Sequence, residues 1–266
     1  MDKILEVNEL NHSFNNKIIF DNLQFSIKKS TTNLILGPNS SGKTTLIRLL
    51  CGIFKSNNNI TVNNVVLNKN NLKEYLLSIG VVFFDDQNKF LFDKVIDELS
   101  FPLENLNYSR KSIKNRINEV KEILQLGDIV NKKIEDLTTL EEVKTLIGVS
   151  IMHNPKIIFL DNALSKLTRV EVKELFVILD KIKQDTTICI TSSNMEDILF
   201  FDNVIVIGSD EMIEGTPKEV LEKDNELAKR GLFIPSMIDL SLKLGFYGLL
   251  DDIITDVNGM VDRLWK

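Results

Sequence analysis

The chain has 266 residues, 43% of them apolar and 26% charged, with a formal net charge of −6 and a sequence pI near 5.2. That length suits one large domain or two small ones with a sizeable core, and the acidic balance removes the electrostatic argument for nucleic acid as a partner, since a phosphate backbone is bound through surplus Lys and Arg. The two cysteines, Cys51 and Cys189, lie far apart and outside any C-x-x-C or Cys/His cluster, which argues against a disulfide framework or structural zinc and for a reducing cytoplasm.

The opening MDKILEVNEL places acids among its apolar residues, and no run reaches the roughly 18 to 20 apolar residues of a spanning helix, so neither a secretory leader nor a membrane span is expected. Apolar and polar residues alternate through Ile4, Glu6 and Asn8 against Leu5 and Val7, and again through Phe20, Leu23, Phe25 and Ile27, with Asn15-Asn16 as the turn between them. This is the pattern of an antiparallel β-layer. Next, Asn33 to Leu36 reads as a short buried strand that runs through a glycine-bounded loop into the apolar helix Leu46, Ile47, Leu49, Leu50. The Asn cluster from Asn57 to Asn71, with Lys outnumbering Arg 26 to 6, reads as the loop filling of a bacterial, AT-rich genome.

A further strand is expected at Gly80 to Phe84, and from about residue 88 to 148 the period becomes helical, as in Ile113, Ile117, Val120, Ile123 and Leu124. Strand-like runs return at Ile157 to Leu160, Thr187 to Ile190 and Val204 to Ile207, with a helix from Val170 to Ile182 between the first two. This βαβ alternation predicts a parallel sheet with helices on its faces, split by a helical insert. Beyond Gly215-Thr216-Pro217 a helix is expected from Pro217 to Leu227, then apolar clusters around Met237, Leu240, Leu244 and Trp265.

The strongest chemical signal is Gly37-Pro38-Asn39-Ser40-Ser41-Gly42-Lys43-Thr44, followed by Thr45, a full match to G-x-x-x-x-G-K-[ST] between a strand and a helix. Glycines at both ends let successive backbone N–H groups converge on phosphate oxygens, and the helix N-terminus adds its dipole. Lys43 is expected to reach the β- and γ-phosphates and the Thr44 hydroxyl to ligate Mg²⁺. A second Mg²⁺ oxygen is expected from Asp161, which ends the buried run Ile157 to Leu160.

These residues resemble an ATP-binding cassette, the ATPase subunit of ABC transporters, and in particular the ATPases of energy-coupling-factor importers. Residues Val95 to Leu106 are similar to that family's VEEELAFGPENL, and Glu214 to Leu221 to its closing EGTPxEVL; the likeness runs from residue 1 to about 222. It implies an α/β fold: a P-loop nucleotide-binding domain with an antiparallel β subdomain, a RecA-like parallel-sheet core, a helical subdomain at about 88–148 and a small C-terminal accessory or dimerisation element at 223–266. It further implies ATP and Mg²⁺ as ligands, Phe14 stacking on adenine, a second ABC ATPase subunit as partner and a transmembrane coupling component at the cytoplasmic face of the cell membrane. Phe83, Phe84, Phe90, Leu91, Phe92 and Phe101 suit the docking of that component.

Several family motifs are altered. The signature LSGGQ becomes Leu137-Thr138-Thr139-Leu140-Glu141, without glycines and with an acid where the opposite subunit's phosphate should dock. The general-base glutamate after Asp161 is Asn162, the switch histidine is replaced by Ser192-Ser193-Asn194, and the D-loop aspartate by Thr168. Phe84 replaces the Q-loop glutamine, with Gln87 three residues on as its candidate substitute. His153 reads as a capping or solvated residue. The resemblance therefore implies the degenerate half of an ATPase heterodimer with weak hydrolysis of its own; a non-transport cassette acting as a nucleotide-gated scaffold or regulator is the alternative.

Overall fold

The computed structural model describes residues 2–14, 17–57, 59–87, 89–208, 212–255 and 257–264. The Asn15-Asn16 turn, Asn58, Asn88 and Trp265 lie outside them.

The alternating N-terminal pattern folds into β1 (Lys3–Phe14) and β2 (Lys17–Lys28), antiparallel with Leu5 opposite Ile27 and Val7 opposite Phe25. After β3 (Thr32–Leu36) and helix α1 (Lys43–Leu50), strands β4 (Ile60–Val62) and β5 (Val65–Val66) extend this layer in the order β2-β1-β4-β5. The short helix α2 (Leu72–Leu77) leads to β6 (Ile79–Phe83).

The helical segment consists of α3 (Val95–Asn105), α4 (Arg110–Ile123), two 3₁₀ turns at Gly127–Asn131 and Ile134–Asp136, and α5 (Thr139–Ile151). The buried Glu98 carboxylate anchors the loop before it, accepting from the backbone N–H groups of Leu91 and, at 2.6 Å, Phe92. Of the aromatic side chains expected to form a docking face, Phe84 is instead buried and Phe92 meets Phe101 edge-on, 5.3 Å between centroids.

Strands β7 (Ile157–Asp161), β8 (Thr187–Ser192), β9 (Asn203–Val206) and β10 (Ile213–Gly215), with α6 (Arg169–Ile182) between β7 and β8, complete a second sheet of order β10-β9-β3-β8-β7-β6. All its pairings are parallel except β10 with β9. Its strands are apolar on both faces, as a covered parallel sheet requires. Leu34 and Leu36 face a core built with α3 to α6, whereas Ile35 faces the core shared with α1, β1 and β2. The two-residue period of β3 thus joins the antiparallel layer to the helical one.

The helix expected from Pro217 to Leu227 is broken into α7 (Pro217–Leu221) and α8 (Asp224–Lys229). Thr216 and Glu219 start α7 with a reciprocal capping box, and the break at Glu222-Lys223 allows Val220, Leu221 and Leu227 all to be buried. In α9 (Ser236–Phe246) Leu240 is 43% exposed, and Ile238 and Ser241 are buried instead. The Ser241 hydroxyl accepts from Ile254 N (2.8 Å) and donates to Asp252 O (3.3 Å), which ties the following loop to the helix before α10 (Val257–Leu264).

His153 does not cap the helix end, and it is only half-buried. Its Nε2 lies 2.8 Å from the carbonyl of Ile79 at the start of β6, and burial pushes its pKa down.

Candidate functional site

The site sits at the carboxyl ends of the parallel strands, where open α/β sheets bind their ligands. Register places Leu36 beside Ser192 and Phe83 beside Asp161, so the loops after β3, β6, β7 and β8 emerge side by side. The loop after β3 turns at Gly37, where a Cβ would meet Ser41 Oγ at 2.5 Å and the Ile207 carbonyl at 2.8 Å. It closes at Gly42, whose φ of +96 belongs to the left-handed region that favours glycine. Pro38, Asn39, Ser40, Ser41, Gly42, Lys43, Thr44 and Thr45 line one wall of a cleft of about 580 Å³.

Lys43 donates to the Gly37 and Pro38 carbonyls at 2.8 and 2.9 Å, which folds its ammonium back over the loop. Burial lowers its pKa, and the Asp161 charge opposes that shift. The Thr44 hydroxyl donates to Asp161 Oδ2 at 2.7 Å, and the Thr191 hydroxyl to Asp161 Oδ1 at 2.7 Å. Thr191 in turn accepts from Asn162 N at 2.9 Å, so every oxygen of this cluster has a fixed direction.

This donor set fits Mg²⁺. Among the described residues no group of three His, Cys, Asp or Glu could hold a metal by itself, whereas Mg²⁺ at phosphates needs only one or two protein oxygens and keeps its waters. Metal–oxygen distances of 2.0–2.1 Å put neighbouring octahedral oxygens about 2.9 Å apart, close to the 2.7 Å between Thr44 Oγ1 and Asp161 Oδ2.

Phe14 is 58% exposed at the end of β1, opposite Lys17, and does not line the cleft. Lys17, Ile18 and Ile19 line it, Ile18 being 67% exposed. Gln87 is also exposed and outside the cleft. Asn162 does line it, at a φ of +62 that Asn tolerates better than most side chains.

The segment Leu137 to Glu141, expected to stand in the signature position, forms a helix cap. Thr138 Oγ1 accepts from Glu141 N at 3.3 Å, and Glu141 Oε2 accepts from Thr138 N at 2.9 Å, a reciprocal capping box at the start of α5. Lys132 donates to Glu141 Oε1 at 2.7 Å; this bond, followed by that from Thr138, pulls the Glu141 pKa down. A phosphate docking here would have to displace an ionised carboxylate from donors it already holds. Thr139 is exposed, while Leu137 and Leu140 pack against the larger core. Thr168 likewise caps α6 through Glu171, and this explains a threonine there in local terms.

Several cleft residues are not assigned to the site by a reading along the chain. Ser193 donates to Asn39 Oδ1 at 2.9 Å, and Lys229 and Arg230 reach the cleft from the end of α8. Another is Asp85, whose Oδ2 accepts from Asn162 Nδ2 at 2.7 Å. It lies 77 residues from Asn162 in sequence, and the only signal that could have found it is the pairing of β6 with β7.

A family model described as ABC transporter matches residues 20–165. The chain is similar to an energy-coupling factor transporter ATP-binding protein of Streptococcus pyogenes serotype M5, 30% identical with 95% of each chain covered. It is also similar to one of Mesomycoplasma hyopneumoniae, 29% identical over 99% of this chain and 98% of that one. Among solved structures, cbiO1 from Clostridium perfringens, part of the ABC transporter complex cbiONQ, matches with a TM-score of 0.78 and 25% identity over 94% of this chain and 100% of its own.

Proposed function

Because the chain belongs to the ABC transporter family, we propose that it is the ATP-binding subunit of an energy-coupling-factor-like importer and the degenerate half of an ATPase heterodimer. The observation that carries this reading is the combination of a full phosphate loop, with Thr44 hydrogen-bonded to Asp161, and a signature segment closed by its own Glu141. Residues 1–222 act as the cassette, with the helical insert at about 88–148, and residues 223–266 as an accessory element. Lys43 and the loop N–H groups bind the phosphates of ATP, and Thr44 and Asp161 hold Mg²⁺, which neutralises phosphate charge when bound. Phe14, paired across the strands with the cleft residue Lys17, stacks on adenine. ATP clamps the dimer shut, and the partner cassette supplies the faster hydrolysis that opens it.

Among the described residues no helix is long and apolar enough to cross a membrane, so transport in this reading needs a separate transmembrane component at the cytoplasmic face. Its docking place is the apolar groove between α2 and the end of α3, formed by Leu72, Leu76, Leu77, Pro102 and Leu106. The three leucines are exposed although apolar, which is the mark of an interaction surface. Leu76→Asp should therefore abolish co-purification with the membrane component while changing stability by less than about 0.5 kcal/mol, as expected for an exposed site; retained co-purification would place the docking surface elsewhere.

The reading as a whole is tested by purifying the chain from membranes and identifying what accompanies it. A second cassette and a multi-spanning protein are expected. The chain alone should turn over ATP at least about 10²-fold more slowly than a cassette with an intact signature, the usual scale for losing donors that stabilise the transition-state charge, because Glu141 closes its own signature segment. Ordinary turnover by the isolated chain, abolished by Asn162→Ala, is the outcome that defeats it.

A further inference from the structure

The acid that this family carries immediately after the strand-ending aspartate is missing from position 162, and no acid follows Asp161 in the chain until Glu171. In space, a carboxylate stands beside that position. Register pairs Phe83 with Asp161, and Phe84 N donates to Asp161 O at 3.2 Å, so β6 and β7 end together and their next residues are neighbours. Phe84 continues the pairing by one residue, so Asp85 after it and Asn162 after Asp161 come side by side. They share a 2.7 Å hydrogen bond from Asn162 Nδ2 to Asp85 Oδ2, and both line the cleft that holds Lys43, Thr44 and Asp161. Amide and carboxylate are thus both present, with the carboxylate in the turn that follows the neighbouring strand.

We infer that Asp85 is the general base for hydrolysis at this chain's own phosphate site and that Asn162 is its positioning residue. The inference rests on the reading that the cleft binds Mg-ATP. Asn162 has its left-handed turn and its bond to Asp85 to hold it, so its amide orients the carboxylate. Asp85 Oδ2 is engaged by that amide, and Oδ1 carries no hydrogen bond among the described residues, which leaves it able to accept from water. In the step, the water oxygen bonds to the γ-phosphorus as the bond from that phosphorus to the β,γ-bridging oxygen breaks. ADP leaves with the electron pair of the broken bond, the proton lost by water passes to Asp85, and Asp85 returns it to solvent after phosphate departs. No other reactant is needed. Hydrolysis by the isolated chain stays slow because its own signature is closed by Glu141, not because the cleft has no base.

The test is single-turnover hydrolysis of Mg-ATP by excess full-length chain, both as it stands and with Thr139→Gly, Leu140→Gly and Glu141→Gln rebuilding the signature. Asp85→Asn keeps an acceptor for the Asn162 amide but removes the basicity, and should slow the step by about 10²-fold or more while nucleotide affinity stays within about threefold. Moving the acid back, Asp85→Asn with Asn162→Asp, should recover at least about tenfold of that loss. An Asp85→Asn rate within about threefold of its parent in both backgrounds, a transposed variant no faster than Asp85→Asn, or no phosphate release from either parent overturns the inference. All three failures leave nucleotide binding and membrane partners untouched, whereas failure of the broader reading would appear as a chain that binds no ATP or brings down no membrane component.

Discussion

Lys43→Ala should reduce the affinity for Mg-ATP by at least about 30-fold, the effect of removing the charged partner from a desolvated, hydrogen-bonded pair, which is about 2 to 5 kcal/mol. The lysine is held over the phosphate loop by the Gly37 and Pro38 carbonyls, so its ammonium is already placed at the loop that is proposed to bind the phosphates. Loss of the side chain removes the cation and leaves those two carbonyls without its hydrogen bonds. The measurement is a fluorescent-nucleotide titration alongside thermal unfolding. At a nucleotide concentration 100 times the dissociation constant, binding stabilises the parent by about 2.7 kcal/mol, and Lys43→Ala should lose nearly all of that nucleotide-dependent shift while its nucleotide-free transition is retained. A variant that keeps the shift would mean that the loop amides alone hold the phosphates.

Legibility in the sequence follows contiguity. The phosphate loop spans successive residues, so its glycines, lysine and hydroxyl could be read directly, and the two-residue alternation of β1 and β2 announced an antiparallel layer. Asp85 could not be read that way, because its relation to Asn162 exists only once β6 lies beside β7. Lys229 and Arg230 reach the cleft only because the chain folds back after β10, and nothing in the local pattern of 217 to 230 states that return. His153 shows the same limit in the opposite direction. Its neighbours Asn154 and Pro155 indicate a helix end, but its partner is a carbonyl of a strand 74 residues away.

The altered motifs also divide by cause. At Thr138 and Thr168 the hydroxyl caps a helix and the glutamate three residues on completes a capping box, so both positions have a local stabilising function independent of nucleotide. At Asn162 the backbone adopts a positive φ that asparagine accommodates, and its side chain is spent on Asp85. Substitution at the first two sites is therefore a stability experiment, and at the third a catalytic one.

Phe159→Ala should give the largest loss of stability, about 3 to 5 kcal/mol, the range for truncating a fully buried aromatic side chain. Phe159 is completely buried at the centre of β7, between Val81 of β6 and Cys189 of β8, and faces the core that contains α1. Two residues on, and therefore on the same face of the strand, is Asp161. A cavity at 159 would loosen the seat of α1, which carries Lys43 and Thr44, against the strand that carries their carboxylate. Urea unfolding should show the loss directly, and the thermal midpoint should fall by roughly 6 to 20 °C for a chain of this size. Phe92→Ala, which truncates a phenylalanine 38% exposed at the edge of the helical insert, should cost much less, because less of its area leaves water on folding. Equal losses for the two variants would mean that the sheet around β7 collapses to fill the space, and Thr44 and Asp161 would then be set by the loop alone.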